Sequence, residues 1–247
     1  MSRELFFRQL FDYDTWTYSY LIADPETREA ALIDPVKEQV SRDLNLIKEL
    51  NLQLKYIIET HVHADHITGA EDIRQATGAK SIVGFGAHVA CADKQVKDGE
   101  EIDLGSFKIK ALSTPGHTDG CMSYVVSGRV FTGDALLIRG TGRTDFQQGS
   151  PGALYHSIIE KLFPLPDDTL VYPAHDYHGL TVSTIGEEKK YNPRVGGQKS
   201  EAEFVEIMAN LKLAMPKKIQ IAVPANMACG ADKADENSAI SASVRQG

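Results

Sequence analysis

The 247-residue sequence is poor in cysteine, with only three, and has a single tryptophan. Cys91, Cys121 and Cys229 are odd in number and widely spaced, so a disulfide framework is not expected, and a reducing intracellular compartment fits better. No run approaches the roughly 20 apolar residues a membrane span requires. The opening Met1-Ser2-Arg3-Glu4-Leu5-Phe6-Phe7 lacks the apolar core of a signal peptide. Basic residues are outnumbered, 26 Lys and Arg against 34 Asp and Glu, and the formal charge of −8 argues against a nucleic-acid surface. Gly84-Phe85-Gly86 and Gly140-Thr141-Gly142 do not complete a dinucleotide fingerprint, so no nucleotide cofactor is implied. There is no internal repeat and no linker composition that would divide the chain. The expectation is one cytoplasmic domain over residues 1–247, with an Ala- and Ser-rich tail from 224 to 247 that frays.

What the sequence does have is histidine next to carboxylate. Thr60-His61-Val62-His63-Ala64-Asp65-His66 places three imidazoles and one carboxylate within six positions, directly after an apolar, β-branched run. These are ligand types that first-row transition metals prefer. Two further segments, Thr114-Pro115-Gly116-His117 and Phe131-Thr132-Gly133-Asp134, each set one ligand-type residue beside a glycine after a strand-like stretch.

The periodicities predict an α/β chain. Strands fall in the first 34 residues, where Trp16, Tyr18 and Tyr20 alternate with Thr17 and Ser19, and at about 54–59, 81–83 and 107–112. A hairpin turns at Ser127-Gly128, and a strand covers 169–172. Asp34 is expected to cap a helix whose apolar face is Val36, Val40, Leu44, Ile47 and Leu50. Further helices are expected over about 67–77, closed by Gly78, and over 151–162. Residues 176–199 read as a long loop, and a last helix opens at the capping box Ser200-Glu201-Ala202-Glu203 and runs to about Leu213. Every candidate ligand then follows a strand, and stacked sheets would gather these loops at one edge.

The His-x-His-x-Asp-His motif, with His117, Asp134 and His175 after it in a β-then-α order, resembles the metallo-β-lactamase superfamily. That resemblance implies an αββα sandwich with the metal site at one edge of the two sheets. Within the superfamily, the stretches Gly133 to Gly140 and Gly142 to Gly149, with Tyr172-Pro173-Ala174-His175-Asp176-Tyr177-His178-Gly179 and Asn192-Pro193-Arg194, resemble the persulfide dioxygenases of the ethylmalonic-encephalopathy protein type. The likeness runs from about residue 5 to 229. It implies one Fe(II) per chain on His61, His117 and Asp134, the facial triad of non-haem iron oxygenases. His63, Asp65, His66, His175 and Asp176 would then orient ligands and organise water.

The implied reaction oxidises glutathione persulfide with O2 and water to sulfite and glutathione. Arg139, Arg143, Tyr177, Tyr191 and Arg194 are the candidates for holding glutathione, because a guanidinium suits a carboxylate. Arg143 could instead pair with Asp145 or Asp176, and the tyrosines could be packing residues. The expected partners are glutathione persulfide and O2, with a rhodanese-type sulfurtransferase in the pathway and a second copy of the chain in a homodimer. Two other functions compete. A glyoxalase II-type hydrolase of glutathione thioesters would use all seven ligand-type residues for two zinc ions, but little chain remains for its helical substrate domain. A non-enzymatic binding protein on the same fold has no need of an intact ligand set. Flavodiiron proteins match less well, since they usually carry an acidic ligand where this motif has His63.

Overall fold

The computed structural model describes residues 4–231. The first sheet is β1 (Phe6–Asp12), β2 (Thr17–Ala23), β3 (Glu29–Ile33), β4 (Gln53–Ile58), β5 (Lys80–Gly84) and β6 (Lys94–Val96), in that order. Its first three strands are antiparallel and the remainder parallel. The second sheet runs β12-β11-β10-β9-β8-β7, from β7 (Glu101–Leu104), β8 (Phe107–Ser113), β9 (Met122–Val126), β10 (Arg129–Gly133), β11 (Leu170–Pro173) and β12 (Ser183–Thr184). Helices α1 (Val40–Glu49) and α2 (Ala70–Thr77) cover the outer face of the first sheet. The second is covered by α3 (Pro151–His156), which continues as a π-helical segment over Ser157–Leu162, and by α5 (Glu201–Ala209). This is the expected αββα sandwich.

Side-chain alternation explains the layers. Tyr20 and Ile22 of β2 point between the sheets, where they meet Tyr124 and Phe131, while Leu21 and Ala23 point out to Ile47 and Ile73 of the helices. Strands buried on both faces read as nearly continuous apolar runs, as these do. The capping box at Ser200 and Glu203 and the left-handed Gly78 closing α2 form as expected.

Several expectations are corrected. Asp34 caps no helix: its backbone is left-handed (φ 49°), its carboxylate accepts from the Thr60 N–H and hydroxyl, and α1 begins only at Val40. The segment 176–199 is not a loop, since β12 and α4 (Ile185–Tyr191) lie in it, with Thr184 capping α4. The helix at Ser200 ends at Ala209 and is not the last. A further helix, α6 (Ile219–Met227), contains Pro224, so residues 224–227 are helical rather than frayed. The remainder of the predicted tail, from 232, lies outside the described residues. Cys91 and Cys229 are joined in a disulfide with Cα atoms 6.1 Å apart, against expectation, because α6 carries the second across to the loop after β5. Sequence spacing could not reveal that approach. Cys121 is buried, and burial pushes its thiol up to about 12.

At the edge away from the His-rich loop the two sheets are clamped by Asp24. This buried carboxylate accepts from Ser106 N (2.6 Å) and Oγ (2.8 Å) across the sandwich, and from Glu26 N (2.8 Å) in its own turn. Burial alone would raise its pKa, but these donors pull it from the ordinary 3.8 down to about 2. Its contribution to stability is therefore complete above about pH 4 and disappears as pH falls toward 2. Asp24→Ala should cost roughly 1–2 kcal/mol in urea unfolding at pH 7. The gap from the parent protein should close when the measurement is repeated near pH 2.

Candidate metal centre

The ends of four strands converge at one edge of the sandwich. His61 follows β4, His117 follows β8, Asp134 follows β10 and His175 follows β11. The apolar strands drive themselves into the core and leave the next few polar residues at its rim. Gly133 makes the turn into Asp134 possible: its backbone is left-handed (φ 54°), and a Cβ there would lie 2.7 Å from the side chain of Thr60.

His61, His117 and Asp134 are all buried, and their ligand atoms lie within 4.8 Å of one another. Hydrogen bonds fix which imidazole nitrogen is free. Thr60 spends its one hydroxyl proton on Asp34 Oδ2 (2.8 Å), so His61 Nδ1, 3.0 Å from Thr60 Oγ1, must be the donor of that pair. His117 Nδ1 donates to the Arg143 carbonyl at 2.7 Å. Both rings are thus left with Nε2 as the ligand atom, and His117 Nε2 faces Asp134 Oδ2 at 3.6 Å. Burial and the neighbouring His63 hold the His61 pKa well below the ordinary imidazole value, which keeps that ring neutral. Burial opposes ionisation of Asp134, yet His175, His117 and His61 outweigh it and hold the carboxyl well below the usual range. Two imidazoles that each offer Nε2, with one carboxylate, fit a divalent first-row metal.

His63, Asp65, His66 and His175 form a second group beside the first. Its geometry is that of a closed network. His175 Nδ1 donates to Asp134 Oδ1 at 2.7 Å, and its Nε2 lies 3.1 Å from Asp65 Oδ2 and 3.2 Å from the Thr17 hydroxyl. Burial works against charge on His175, but Asp134 and Asp65 together raise its pKa well above the ordinary value. Asp65 also meets His66 Nδ1 at 2.9 Å. Burial would raise the Asp65 pKa, and the charges of His175 and His66 bring it well below normal. Burial and His66 hold the His63 pKa well below the ordinary imidazole value, and its Nε2 lies 3.2 Å from Asp34 Oδ1. Asp176 turns away from His175 and accepts from the His178 and Leu180 amides, which shapes the loop instead.

A cleft of about 740 Å³ opens over His61, His117 and Asp134. Of the five residues expected to hold substrate, four line it and Tyr191 does not. Tyr191 is exposed and meets the guanidinium of Arg139 outside the cleft. Arg139 is consumed by Glu187, Glu188 and the Ser183 hydroxyl. Arg143 is a brace: it grips Asp145 with two hydrogen bonds (2.6 and 2.7 Å) and donates to the Ala214 carbonyl at 2.6 Å, fastening the segment that walls the cleft. Arg194 donates to the Thr141 carbonyl and has no carboxylate partner among the described residues. Tyr177 stacks parallel on His175, with ring centroids 6.2 Å apart.

Sequence reasoning missed Thr17, Asp34, Thr60 and Gly142. Thr60 stands inside the motif, and Asp34 ends an apolar strand just as the ligands do, so strand-end polarity was a usable sign for both. Gly142 donates to the Asp134 carbonyl at 2.7 Å, and a Cβ on it would lie 2.3 Å from that oxygen and 2.9 Å from the His117 ring. Gly142→Ala should therefore cost about 1–3 kcal/mol of stability and weaken metal binding by roughly tenfold or more. Thermal melts and metal analysis of the purified variant test both.

The profile of the Metallo-beta-lactamase superfamily matches residues 17–175. The human protein "Persulfide dioxygenase ETHE1, mitochondrial" is 53% identical over 226 residues, covering 90% of this chain and 88% of its own. Its mouse counterpart of the same name is 52% identical with the same coverage. The crystal structure of ETHE1 from Myxococcus xanthus superposes with a TM-score of 0.89 at 56% identity, covering 92% of this chain and 100% of that one. The mammalian relatives are mitochondrial proteins, which overturns the expectation of a cytoplasmic location drawn from cysteine content and the opening residues. The chain belongs to the metallo-β-lactamase superfamily, and within it to the ETHE1 family.

Proposed function

We propose that this chain is a mononuclear Fe(II) persulfide dioxygenase that converts glutathione persulfide, O2 and water into sulfite and glutathione. The observation that carries the reading is the pairing of an open His61, His117 and Asp134 set with a neighbouring set closed by a doubly bonded His175. Relatives named persulfide dioxygenase at 52–53% identity support it. Ferrous iron on the triad supplies the redox step with O2 that zinc cannot provide. The dinuclear hydrolase reading would require His175 Nε2 to give up its contacts with Asp65 and Thr17, while Nδ1 kept its bond to Asp134. A purely binding role gives no reason for the buried, pre-oriented ligand set.

The protein's own groups divide the remaining work. His61 and His117 present Nε2 because Thr60 and the Arg143 carbonyl hold Nδ1. His175 pins Asp134 Oδ1, which leaves Oδ2 as the ligand oxygen. His63, Asp65 and His66 shape the pocket behind the triad, and Asp176 sets the loop that carries Tyr177. Arg194 lines the cleft, is half-buried and pairs with no carboxylate among the described residues, so it takes a glutathione carboxylate. Tyr177 and Trp16 give the mouth of the cleft aromatic faces. Arg143 acts by holding the cleft wall. We read residues 1–247 as one domain. A rhodanese-type sulfurtransferase as pathway partner follows from the chemistry, since sulfane sulfur must be transferred to glutathione before it is oxidised. A homodimer is part of the same proposal, and sedimentation would decide it.

Oxygen uptake by iron-loaded protein with glutathione persulfide tests the central reading. About one iron per chain and one O2 per sulfite are expected, whereas full turnover without O2, or two zinc ions in active protein, would overturn it. His117→Ala should lose iron and O2 uptake together. Arg194→Leu should leave iron in place and lower kcat/KM about 10–100-fold, mostly through KM, the loss of roughly 1.5–3 kcal/mol of charge-assisted hydrogen bonding.

A further inference from the structure

The segment from His61 to Thr68 carries four of the metal-type residues but contains neither helix nor strand. Its buried backbone groups therefore need partners from elsewhere. Three of them find the same one. The side-chain amide of Asn226, on α6, donates from Nδ2 to the His63 carbonyl (2.9 Å) and the His66 carbonyl (2.8 Å), and its Oδ1 accepts from Thr68 N (2.8 Å). A primary amide has two N–H donors and one carbonyl, so the match with two carbonyls and one N–H is complete. Asn226 is 6% exposed.

The helix that brings it is fastened at the same place. Cys229 is bonded to Cys91, Lys37 Nζ donates to the Gly230 carbonyl at 3.1 Å, and Gly230 sits so close that a Cβ would lie 2.3 Å from the Thr68 carbonyl oxygen. On its other side the segment is held by Lys37 N to Ile67 O and Gly69 N to Pro35 O, both 2.9 Å. Asn226 thus closes the gap between the anchored helix and the loop, opposite the strand-end contacts.

We infer that Asn226 is a positioning residue for the metal centre: its amide sets the path of the 61–68 backbone, and so the placement of His61 and of the His63, Asp65 and His66 network behind it. The inference rests on the mononuclear site proposed above, but it concerns metal geometry rather than turnover. Asparagine is required by the hydrogen-bond count. Aspartate would turn an acceptor toward two carbonyls, and alanine would leave all three groups without their partner.

Co(II) is a suitable probe, since its affinity can be measured by chelator competition and its d–d absorption reports ligand geometry. Neither measurement involves persulfide or O2, so failure of the dioxygenase reading would leave this test intact, and the reverse holds too. Asn226→Ala and Asn226→Asp are compared with the parent protein and with Asp24→Ala, which loosens the opposite edge of the sandwich. The expected result is a ~10–100-fold weaker Co(II) affinity with a changed d–d spectrum in both Asn226 variants. Asp24→Ala should keep the parent values. Parent-like affinity and spectrum in both Asn226 variants would overturn the inference, as would an equal loss in Asp24→Ala. If alanine prevents folding, Asn226→Ser, which keeps one donor and one acceptor, is read by the same two measurements.

Discussion

Everything at this site depends on keeping Asp134 ionised while it is buried. A carboxylate taken out of water needs compensation by opposite charge or by donors, and here it comes chiefly from the imidazole of His175, whose Nδ1 donates to Oδ1 at 2.7 Å. His175 lies between Asp134 Oδ1 (2.7 Å) and Asp65 Oδ2 (3.1 Å), and the two carboxylates raise its pKa well above the ordinary imidazole value. One electrostatic pairing thus accounts for much of the low pKa of the proposed ligand and for the orientation of its oxygens.

The scaffold supplies orientation in layers. The sheets bring strand ends together, glycines let the backbone make close turns, and polar groups behind the imidazoles choose the tautomer. Thr60 illustrates the economy of the arrangement. Its single hydroxyl proton goes to Asp34, and that choice forces His61 to donate from Nδ1. Asp34 in turn adopts a left-handed backbone at the end of β3, which places its carboxylate beneath the His-rich loop. The positioning of one ring therefore reaches back into the first sheet through two side chains.

Much of this could be read before the fold was known, because strands alternate or run apolar and the ligands stand at their ends. The alternation of Tyr18 and Tyr20 with Thr17 and Ser19 marked β2 as a strand from local sequence alone. What escaped was set by contacts distant in the chain. Nothing around Arg139 discloses Glu188, and nothing around Cys91 discloses Cys229, since only packing brings them together. The tail was misread for a related reason. With a proline inside it and no side-chain cap, α6 has weak local grounds to form, and it is held by the disulfide and by Asn226. Asp34 misled differently, since a strand-end aspartate before proline has the local look of a helix cap.

The proposed ligands do not all come from one sheet. His61 leaves the first, while His117 and Asp134 leave the second. A bound ion is therefore a rivet through both halves of the sandwich, and unfolding cannot separate the halves without giving it up. Whatever free-energy advantage the folded chain has in capturing iron is returned as resistance to heat and denaturant, rising with the logarithm of the free ion concentration. Iron supply would then govern how long the protein survives as well as how fast it turns over.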